Sequence, residues 1–297
     1  MRRMWHCLLS ALFALAILAS CPTPVSAWGK EGHEIVGKVA DKYLNSQARN
    51  AIDELLQGDQ FQSLSDGRLT NWADSIKGSA VYRRKYPNNA SWHFIDIDVT
   101  SDLTNLDLSK FCANGDCALE ALRRFQGVLK DPTASAQDRR EALFFVAHFM
   151  GDIHQPLHCA TRITNGTSDR GGNLVQVMYP GEDVHVTNLH KVWDTDLVLE
   201  AIGPLSLKDY ADRLAGTLST DKRKDYQKGK LEDWILESHK LARGQAYMNN
   251  NASIPPDGQP TKLSSDYVMK GAETVEEQMT KAGVRLAQFL NDTFKGD

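Results

Sequence analysis

The chain has 297 residues, with 38 acidic against 34 basic side chains and a formal net charge of −4 at pH 7. No block of basic residues stands out, whereas a protein that grips duplex DNA along its backbone normally carries one. The length fits one large domain or at most two, and no repeat, low-complexity tract or long linker divides the chain.

The N-terminal residues 1–27 have the pattern of a secretory signal peptide. Two arginines form a basic start, an apolar stretch runs from Leu8 to Ile17, and Val25-Ser26-Ala27 is a small-residue cleavage pattern. The apolar stretch is shorter than the roughly 20 residues that a membrane span requires. We predict cleavage after Ala27, a single catalytic domain over residues 28–297, and a secreted product without stable membrane association. The alternative to secretion is retention in a vacuole or lysosome-like compartment.

Helical periodicity dominates the rest of the chain. Residues 34–57 predict one or two amphipathic helices, ended by Gly58. Further helices are predicted over residues 138–154, 188–202, 206–218, 230–248 and 272–294. Strand-like alternation is confined to residues 173–186, which predict a β-hairpin turning at Pro180-Gly181. The expected fold is a single, mainly α domain with a small β-hairpin in a long loop.

Three cysteines follow the predicted cleavage site. Cys112 and Cys117 flank the turn-like sequence ANGD, which favours a disulfide between them in an oxidising compartment. Cys159 is then a buried free thiol. Four N-x-S/T sequons are candidate glycosylation sites, at Asn89, Asn165, Asn251 and Asn291.

The stretch HFMGDIHQPLH packs three histidines and an aspartate into the end of an apolar helix. His148 and Asp152 are four residues apart, so both point to one side of that helix. His190 and Asp194 repeat the spacing on the next predicted helix, and His158 follows the first pair. A lone histidine would be read as a core residue. Imidazole and carboxylate groups on facing helices instead predict a zinc pocket.

The new N-terminus extends this pattern. Cleavage after Ala27 would free the α-amine of Trp28, with His33 one short turn away in the motif WGKEGH. An α-amine has a pKa of roughly 7.7–8.0, low enough for a metal to displace its proton. The amine and the Trp28 carbonyl could chelate one ion together. The alternative is that Trp28 is a core residue only.

Six motifs, in this order, resemble those of the zinc-dependent single-strand-specific nucleases: WGKEGH, NWADSIK, WHFID, HFMGDIHQPLH, DRGGN and NLHKVWD. That family includes secreted fungal nucleases and plant bifunctional nucleases, which are distant relatives of bacterial zinc phospholipase C. The motifs run from Trp28 to Asp194, and the helical tail with WILESH fits as well. The resemblance implies a multi-helical domain of the zinc phospholipase C and nuclease type.

The resemblance also implies three zinc ions held by nine residues. Grouped by ion, these are Asp74, His93, His148 and Asp152; the Trp28 amine and carbonyl, His33 and a bridging Asp152; and, more remote, His158, His190 and Asp194. Three divalent cations outweigh three carboxylates, so the pocket would be positive within an acidic protein. The metal ions would therefore take the place of a basic patch.

Substrate-binding roles follow from the same resemblance. Lys77, three residues after Asp74, would contact phosphate, and the two would act with Asp152 in catalysis. A solvated surface lysine is the alternative for Lys77.

Three further residues would bind the nucleobase. Phe94 would stack on an unpaired base, while Asp96 and Asn173 would hydrogen-bond its edge. Because a π-face is available on any base, stacking explains a preference for single strands. The alternatives are a core phenylalanine and a loop-shaping asparagine. His154 is expected to support the ligands without binding metal, and His185 and His239 to be structural.

The sequence therefore predicts a secreted, monomeric trinuclear-zinc endonuclease. It would cleave single-stranded RNA and DNA to 5′-phosphorylated products and also act on 3′-nucleotides. One alternative is a zinc-dependent phospholipase C, although Asp194 stands where that relative uses glutamate. The other is a non-catalytic secreted zinc-binding protein.

Overall fold

The computed structural model describes residues 28–181 and 184–295. The predicted signal peptide, residues 1–27, lies outside the described residues. The α-helices are α1 (Lys30–Tyr43), α2 (Ser46–Leu56), α3 (Gly67–Thr70), α4 (Trp72–Ile76), α5 (Ala80–Lys85), α6 (Ala118–Lys130), α7 (Ala136–Asp152), α8 (Leu189–Lys191), α9 (Leu197–Ile202), α10 (Leu207–Gly216), α11 (Thr220–Tyr226), α12 (Leu231–Leu241) and α13 (Ser265–Thr293). Short 3₁₀ helices cover Asn89–His93, Leu108–Phe111, Ala113–Gly115 and Pro156–His158, and π-helical segments cover Val192–Asp196 and Ala242–Ala246.

The mainly α fold is confirmed. Residues 34–57 fall into two helices, α1 and α2, and the predicted helix over residues 138–154 corresponds to α7. The helix predicted over residues 188–202 is interrupted by a π-helical turn between α8 and α9. Helix α6 goes beyond the predicted set. Its buried residues nevertheless recur at helical spacing, so the sequence contains an amphipathic pattern from which this helix could have been predicted.

The strands are β1 (Ile163–Thr164), β2 (Thr167–Ser168), β3 (Gln176–Tyr179), β4 (His185–Asn188), β5 (Met248–Asn249), β6 (Ala252–Ser253) and β7 (Thr261–Lys262). Antiparallel pairing of β3 with β4 confirms the predicted hairpin. The expectation that strands are confined to it is wrong, because β1–β2 and β5–β6 form two more ladders and β7 pairs in parallel with β3. Two-residue strands are too short to show alternation in the sequence.

Helix α7 forms the centre of the core. From Glu141 to Asp152 every residue is buried, so the helix is covered on all sides. Helices α1, α2, α3, α4, α6 and α13 all contact it. Polar groups at the end of such a helix lie in a low-dielectric interior, where they need partners.

An aromatic cluster around Phe145 of α7 fixes the neighbouring segments. The ring stacks on Phe125 of α6 at 4.3 Å between centroids, and Trp72 and Trp92 meet it edge-on at 5.1 and 5.7 Å. Trp72 lies two residues before Asp74, and Trp92 immediately precedes His93. Core packing of the two indoles therefore positions two predicted site residues.

The disulfide and the free thiol are both as predicted. Cys112 and Cys117 are joined at an S–S distance of 2.06 Å, and Cys159 is a buried free cysteine. Among the residues described, no helix combines the length and the apolar character needed to cross a bilayer.

Helices α1 and α13 pack closely where α13 carries Gly283. A Cβ at this position would lie 2.5 Å from Val39 Cγ1 and 2.6 Å from Val39 Cβ. Gly283→Ala should therefore cost about 1–3 kcal/mol in the free energy of unfolding through overpacking. The matched control is Gly127→Ala in α6, where no atom lies within 4 Å. It should gain up to about 1 kcal/mol from helix propensity. Guanidinium unfolding measures both, and equal effects would contradict this packing.

Candidate metal centre

Helix α7 supplies the middle of the site, because His148 and Asp152 lie one turn apart at its C-terminal end and are fully buried. Side chains from α1, α4 and the 3₁₀ helix Asn89–His93 surround them. The side chains form two groups, and in each group one nitrogen or oxygen atom per residue lies within 4.8 Å of the others. The groups are Asp74, His93 and His148; and His33, His148 and Asp152.

Asp152 faces both groups with different oxygens. Its Oδ1 lies 3.3 Å from His33 Nε2, while its Oδ2 lies 3.0 Å from His93 Nδ1 and 3.4 Å from His148 Nε2. A carboxylate with this arrangement can bridge two cations, one at each oxygen. That is the role which the sequence resemblance implies for it.

A third group consists of His158, His190 and Asp194, again within 4.8 Å. His190 Nε2 lies 3.2 Å from one carboxylate oxygen of Asp194, and His158 Nε2 lies 3.7 Å from the other. Asp194 is part of the π-helical segment Val192–Asp196. Single π-turns within helices occur frequently at functional sites.

Backbone carbonyls fix the proton position on three of these imidazoles. Each Nδ1 lies 2.7 Å from a carbonyl oxygen: Thr70 for His148, His93 for His158 and Gly171 for His190. Because a carbonyl only accepts, Nδ1 must carry the proton. The neutral ring then presents an unprotonated Nε2 to the cluster, which is the form in which histidine binds metals.

Two of these unprotonated nitrogens face each other directly. His158 Nε2 and His190 Nε2 are 3.1 Å apart. Burial lowers the pKa of His158 well below its usual value and that of His190 to about 4, so neither ring carries a second proton at neutral pH. Two lone pairs at this distance repel unless a cation lies between them. The residues present therefore fit a metal ion that prefers nitrogen and oxygen ligands.

The remaining electrostatics also favour binding of cations. Burial raises the pKa of Asp152 and of Asp194 well above the usual range, so removal of their protons needs positive charge nearby. Burial, with His148 alongside, lowers the pKa of His33. Within the described residues neither ring nitrogen of His33 has a hydrogen-bond partner, although the side chain is completely buried. Such a group is costly unless something binds it.

The start of the predicted mature chain is anchored at the same place. The Trp28 indole is fully buried and donates to the carbonyl of Gly151 at 2.8 Å, within the turn that carries His148 and Asp152. The Gly29 amide donates to the Asp194 carbonyl at 2.7 Å. Trp28 is thus a core residue, and its burial holds the chain start between the ligand groups.

A known protein family matches almost the whole of the described chain. A family model described as S1/P1 Nuclease matches residues 28–295. The chain belongs to the S1/P1 nuclease family. Nuclease S1 of Aspergillus oryzae is 30% identical, with 89% of this chain and 91% of the relative covered. Endonuclease 2 of Arabidopsis thaliana is 29% identical, covering 91% of each chain, and nuclease P1 of Penicillium citrinum is 27% identical, covering 89% and 97%.

Membership makes the chain a phosphodiester hydrolase, a nuclease whose fold carries several His/Asp groups able to hold metal. The nuclease resemblance that the six motifs indicated is confirmed. The phospholipase alternative loses support, since the matching family and the relatives named above are nucleases.

Lys77 lies at the edge of this centre. Its Nζ is 2.6 Å from Asp74 Oδ1, and both side chains are mostly buried. The structure therefore joins two of the three predicted catalytic residues and places an ammonium group beside the first ligand group. This arrangement does not fit a solvated surface lysine.

The predicted base-binding residues occupy two neighbouring segments. Phe94, 37% exposed, and Asp96 follow His93, whose carbonyl accepts from His158. Asn173 lies two residues after Gly171, whose carbonyl accepts from His190. The Asn173 amide nitrogen donates to the Arg170 carbonyl at 2.8 Å, and its amide oxygen accepts no hydrogen bond within the described residues. The exposure of Phe94 agrees with a stacking surface.

Two residues inside the quoted motifs have roles that the sequence did not reveal. Gln155 donates from Nε2 to Asp194 Oδ1 at 2.5 Å, so it orients a predicted ligand. The buried Asp169 accepts at Oδ1 from the amides of Arg162 and Gly172 and from the hydroxyl of Tyr247. It thereby shapes the loop that carries Asn173. Their positions within HFMGDIHQPLH and DRGGN were the available signal.

The three other histidines among the described residues lie outside the ligand groups. His154 Nδ1 donates to the Met150 carbonyl, and its Nε2 accepts from Arg285 at 3.0 Å, so it secures the end of α7 against α13. The buried His239 bonds through Nδ1 to the Cys159 carbonyl. His185 belongs to β4.

The four sequons differ in accessibility. Asn165 and Asn251 are exposed and lie in turns with positive φ. Asn89 is 2% exposed and donates its amide to the Tyr86 carbonyl. The Asn291 amide is also in use, accepting from the Asn45 amide and donating to the Tyr43 carbonyl. The folded chain thus has room for a glycan at the first two sites and none at Asn89.

Asp96 should make stability depend on pH. Burial, with Asp169 nearby, raises its pKa to about 6 from an ordinary 3.8. Because the folded pKa is the higher one, the stabilising contribution is complete below pH about 4 and is lost as pH rises through about 6. Asp96→Asn should therefore exceed the wild type in unfolding free energy by about 1–2 kcal/mol at pH 7.5, after allowance for partial exposure.

The measurement is denaturant unfolding of both proteins at matched pH values. The difference should shrink towards zero at pH 4, and the exposed Asp257→Asn should show no such trend. A constant difference across this range would mean that Asp96 titrates normally.

Proposed function

We propose that the mature protein is a trinuclear-zinc endonuclease that hydrolyses single-stranded RNA and DNA to 5′-phosphorylated products. It would also remove phosphate from 3′-nucleotides. The proposal combines membership of a nuclease family with the donor chemistry of the site.

The observation that carries the proposal is the facing pair of unprotonated imidazole nitrogens. His158 Nε2 and His190 Nε2 approach to 3.1 Å, each with its Nδ1 proton committed to a carbonyl. This arrangement needs a cation, and neutral imidazoles with carboxylates suit Zn²⁺.

We assign the ligands as the resemblance implies. The first ion would be held by Asp74, His93, His148 and Asp152, the second by the Trp28 amine and carbonyl with His33 and Asp152, and the third by His158, His190 and Asp194. When bound, zinc supplies Lewis acidity, which lowers the pKa of water towards 7 and neutralises phosphate charge.

The protein's own residues orient the substrate around this centre. Lys77 would donate from Nζ to a phosphate oxygen once Asp74, whose Oδ1 lies 2.6 Å from that nitrogen, is committed to a metal ion. Phe94 would stack on the adjacent base through its exposed ring face. Asp96 and Asn173 would bond to the edge of that base, Asp96 as an acceptor above pH about 6 and as a donor below it.

This mode of recognition explains a single-strand preference. A base must leave its pair and stack before Phe94 can contact it, which is easiest in unpaired strands. None of these contacts distinguishes ribose from deoxyribose, so both RNA and DNA should serve as substrates.

We further propose that the protein is secreted after cleavage at Ala27, or retained in a vacuole-like compartment, as a monomer. The N-terminal pattern and the Cys112–Cys117 disulfide support export. Asn165 and Asn251 are the sequons that we expect to carry glycans.

Metal analysis paired with a digest tests the proposal. Purified mature protein should contain three zinc ions per chain by mass spectrometry, and it should release 5′-phosphorylated fragments from single strands much faster than from duplexes. Release of phosphocholine from lecithin instead would establish the phospholipase alternative. Bound zinc without turnover of either substrate would support the alternative of a non-catalytic zinc-binding protein.

Asp152→Ala should remove the bridge between the first two ions. We expect cleavage of denatured DNA to fall by more than about a hundredfold, with loss of zinc and of thermal stability. Asp221→Ala, at an exposed position in α11, is the control and should keep both zinc and activity. Full activity of Asp152→Ala would show that this ligand assignment is wrong.

An N-terminal extension tests the chelate and leaves every side chain intact. One glycine placed ahead of Trp28 should eject a single zinc ion, because the α-amine is then displaced from the site. The same glycine added after Asp297 should leave the zinc content unchanged. If both proteins keep three ions, the N-terminal amine is not a ligand.

A further inference from the structure

Residues 75–95 form a basic segment in an otherwise acidic chain. These 21 residues contain Lys77, Arg83, Arg84 and Lys85 but no aspartate or glutamate, whereas the whole chain has more acids than bases. Charge counting over the full length does not reveal it. In the structure the segment runs from the end of α4 through α5 and then through the 3₁₀ helix Asn89–His93.

Both ends of the basic segment lie at the metal centre. Asp74 immediately precedes it and His93 lies near its end, and ligand atoms of these two residues are within 4.8 Å of each other. The segment therefore leaves the centre, passes over the surface and returns. Arg83 is six residues from Lys77, so their Cα atoms are at most about 20 Å apart.

The inner side of α5 is fixed to the core. The Tyr82 ring meets Trp72 edge-on at 5.1 Å, and Lys85 Nζ lies 2.8 Å from carboxylate oxygens of both Asp138 and Glu141. Lys85 is thus neutralised and unavailable to a ligand. These contacts hold the helix in one orientation.

The outer side of α5 carries two arginines without acidic partners. Arg83 and Arg84 are exposed, and neither forms an ion pair with a carboxylate anywhere in the described chain. Arg83 Nη2 donates only to the Gly78 carbonyl, at 3.1 Å, which holds this guanidinium beside the residue that follows Lys77. Val81, 73% exposed, shares this surface.

We propose that Arg83 and Arg84 bind backbone phosphates of a single-stranded polynucleotide beyond the scissile linkage, an extension that rests on the nuclease function proposed above. Guanidinium groups pair with phosphate through two parallel hydrogen bonds, and these two remain free of competing carboxylates. Their continuity with Lys77 favours the nucleic acid strand over an acidic protein. The surface would add affinity for long strands without touching the reacting phosphate.

The test compares Arg83→Gln/Arg84→Gln with the zinc-loaded wild type on two substrates. For a single strand of about 30 nucleotides in 50 mM salt, kcat/KM should fall by about five- to tenfold. For a dinucleoside monophosphate, too short to reach α5, kcat/KM should stay within about twofold. Lys222→Gln/Lys224→Gln removes the same charge from α11, at residues without carboxylate partners in the described chain, and should change neither value.

Binding provides a readout that does not need turnover. The affinity of the zinc-loaded proteins for a phosphorothioate single strand is measured by fluorescence anisotropy at several salt concentrations. Each phosphate contact contributes about 0.7 to the slope of log affinity against log salt, so the arginine variant should lose about 1–1.5 from that slope.

Two results would overturn the proposal. One is an unchanged salt slope and affinity in the arginine variant, and the other is an equal loss on the short and the long substrate. If the wild type binds the strand but cleaves neither substrate, the nuclease proposal fails separately. The salt slope still decides whether the two arginines bind phosphate.

Discussion

The site depends on hydrogen bonds that imidazoles donate to backbone carbonyls. By holding the Nδ1 proton of His148, His158 and His190, these carbonyls turn each Nε2 lone pair towards a shared interior. The interior is then rich in lone pairs that a metal cation can bind. We therefore expect metal binding to contribute to the folding free energy, because the ligand atoms lie in the buried core.

The hydrophobic core positions the residues of this polar centre. Trp72, Trp92 and Trp193 stand one or two positions before predicted ligands, and each indole is buried. The Trp193 indole donates to the Tyr267 hydroxyl of α13 at 2.7 Å, so the longest helix also restrains the third ligand group. Substitutions in these aromatic contacts would move ligands without altering any of them. Rigidity of this kind keeps buried imidazoles and carboxylates at the separations that metal ions require.

Much of the fold and of the metal centre could be predicted from the sequence, for identifiable reasons. The spacing of His148 and Asp152 follows directly from helical geometry, and the ordered motifs indicated the family. The hydrogen bonds that the Thr70 and Gly171 carbonyls accept from imidazoles could not be predicted, because a backbone acceptor has no side-chain signature. Parallel pairing of β3 with β7 was equally hidden, since it joins short segments far apart in the chain. Helix α6 was not predicted, although its buried residues recur at helical spacing.

The buried Cys159 has a consequence for handling the protein. In the native state its thiol has no access to solvent, and burial raises its pKa, so it is inert towards oxidants. Once the predicted mature chain, residues 28–297, is denatured and reduced, that protection ends, and its three sulfhydryls can pair in three ways, only one of them correct. The short separation of Cys112 and Cys117 favours the correct ring kinetically. Oxidative renaturation should therefore succeed best at dilute concentration, with a redox shuffling couple to rescue mispaired molecules.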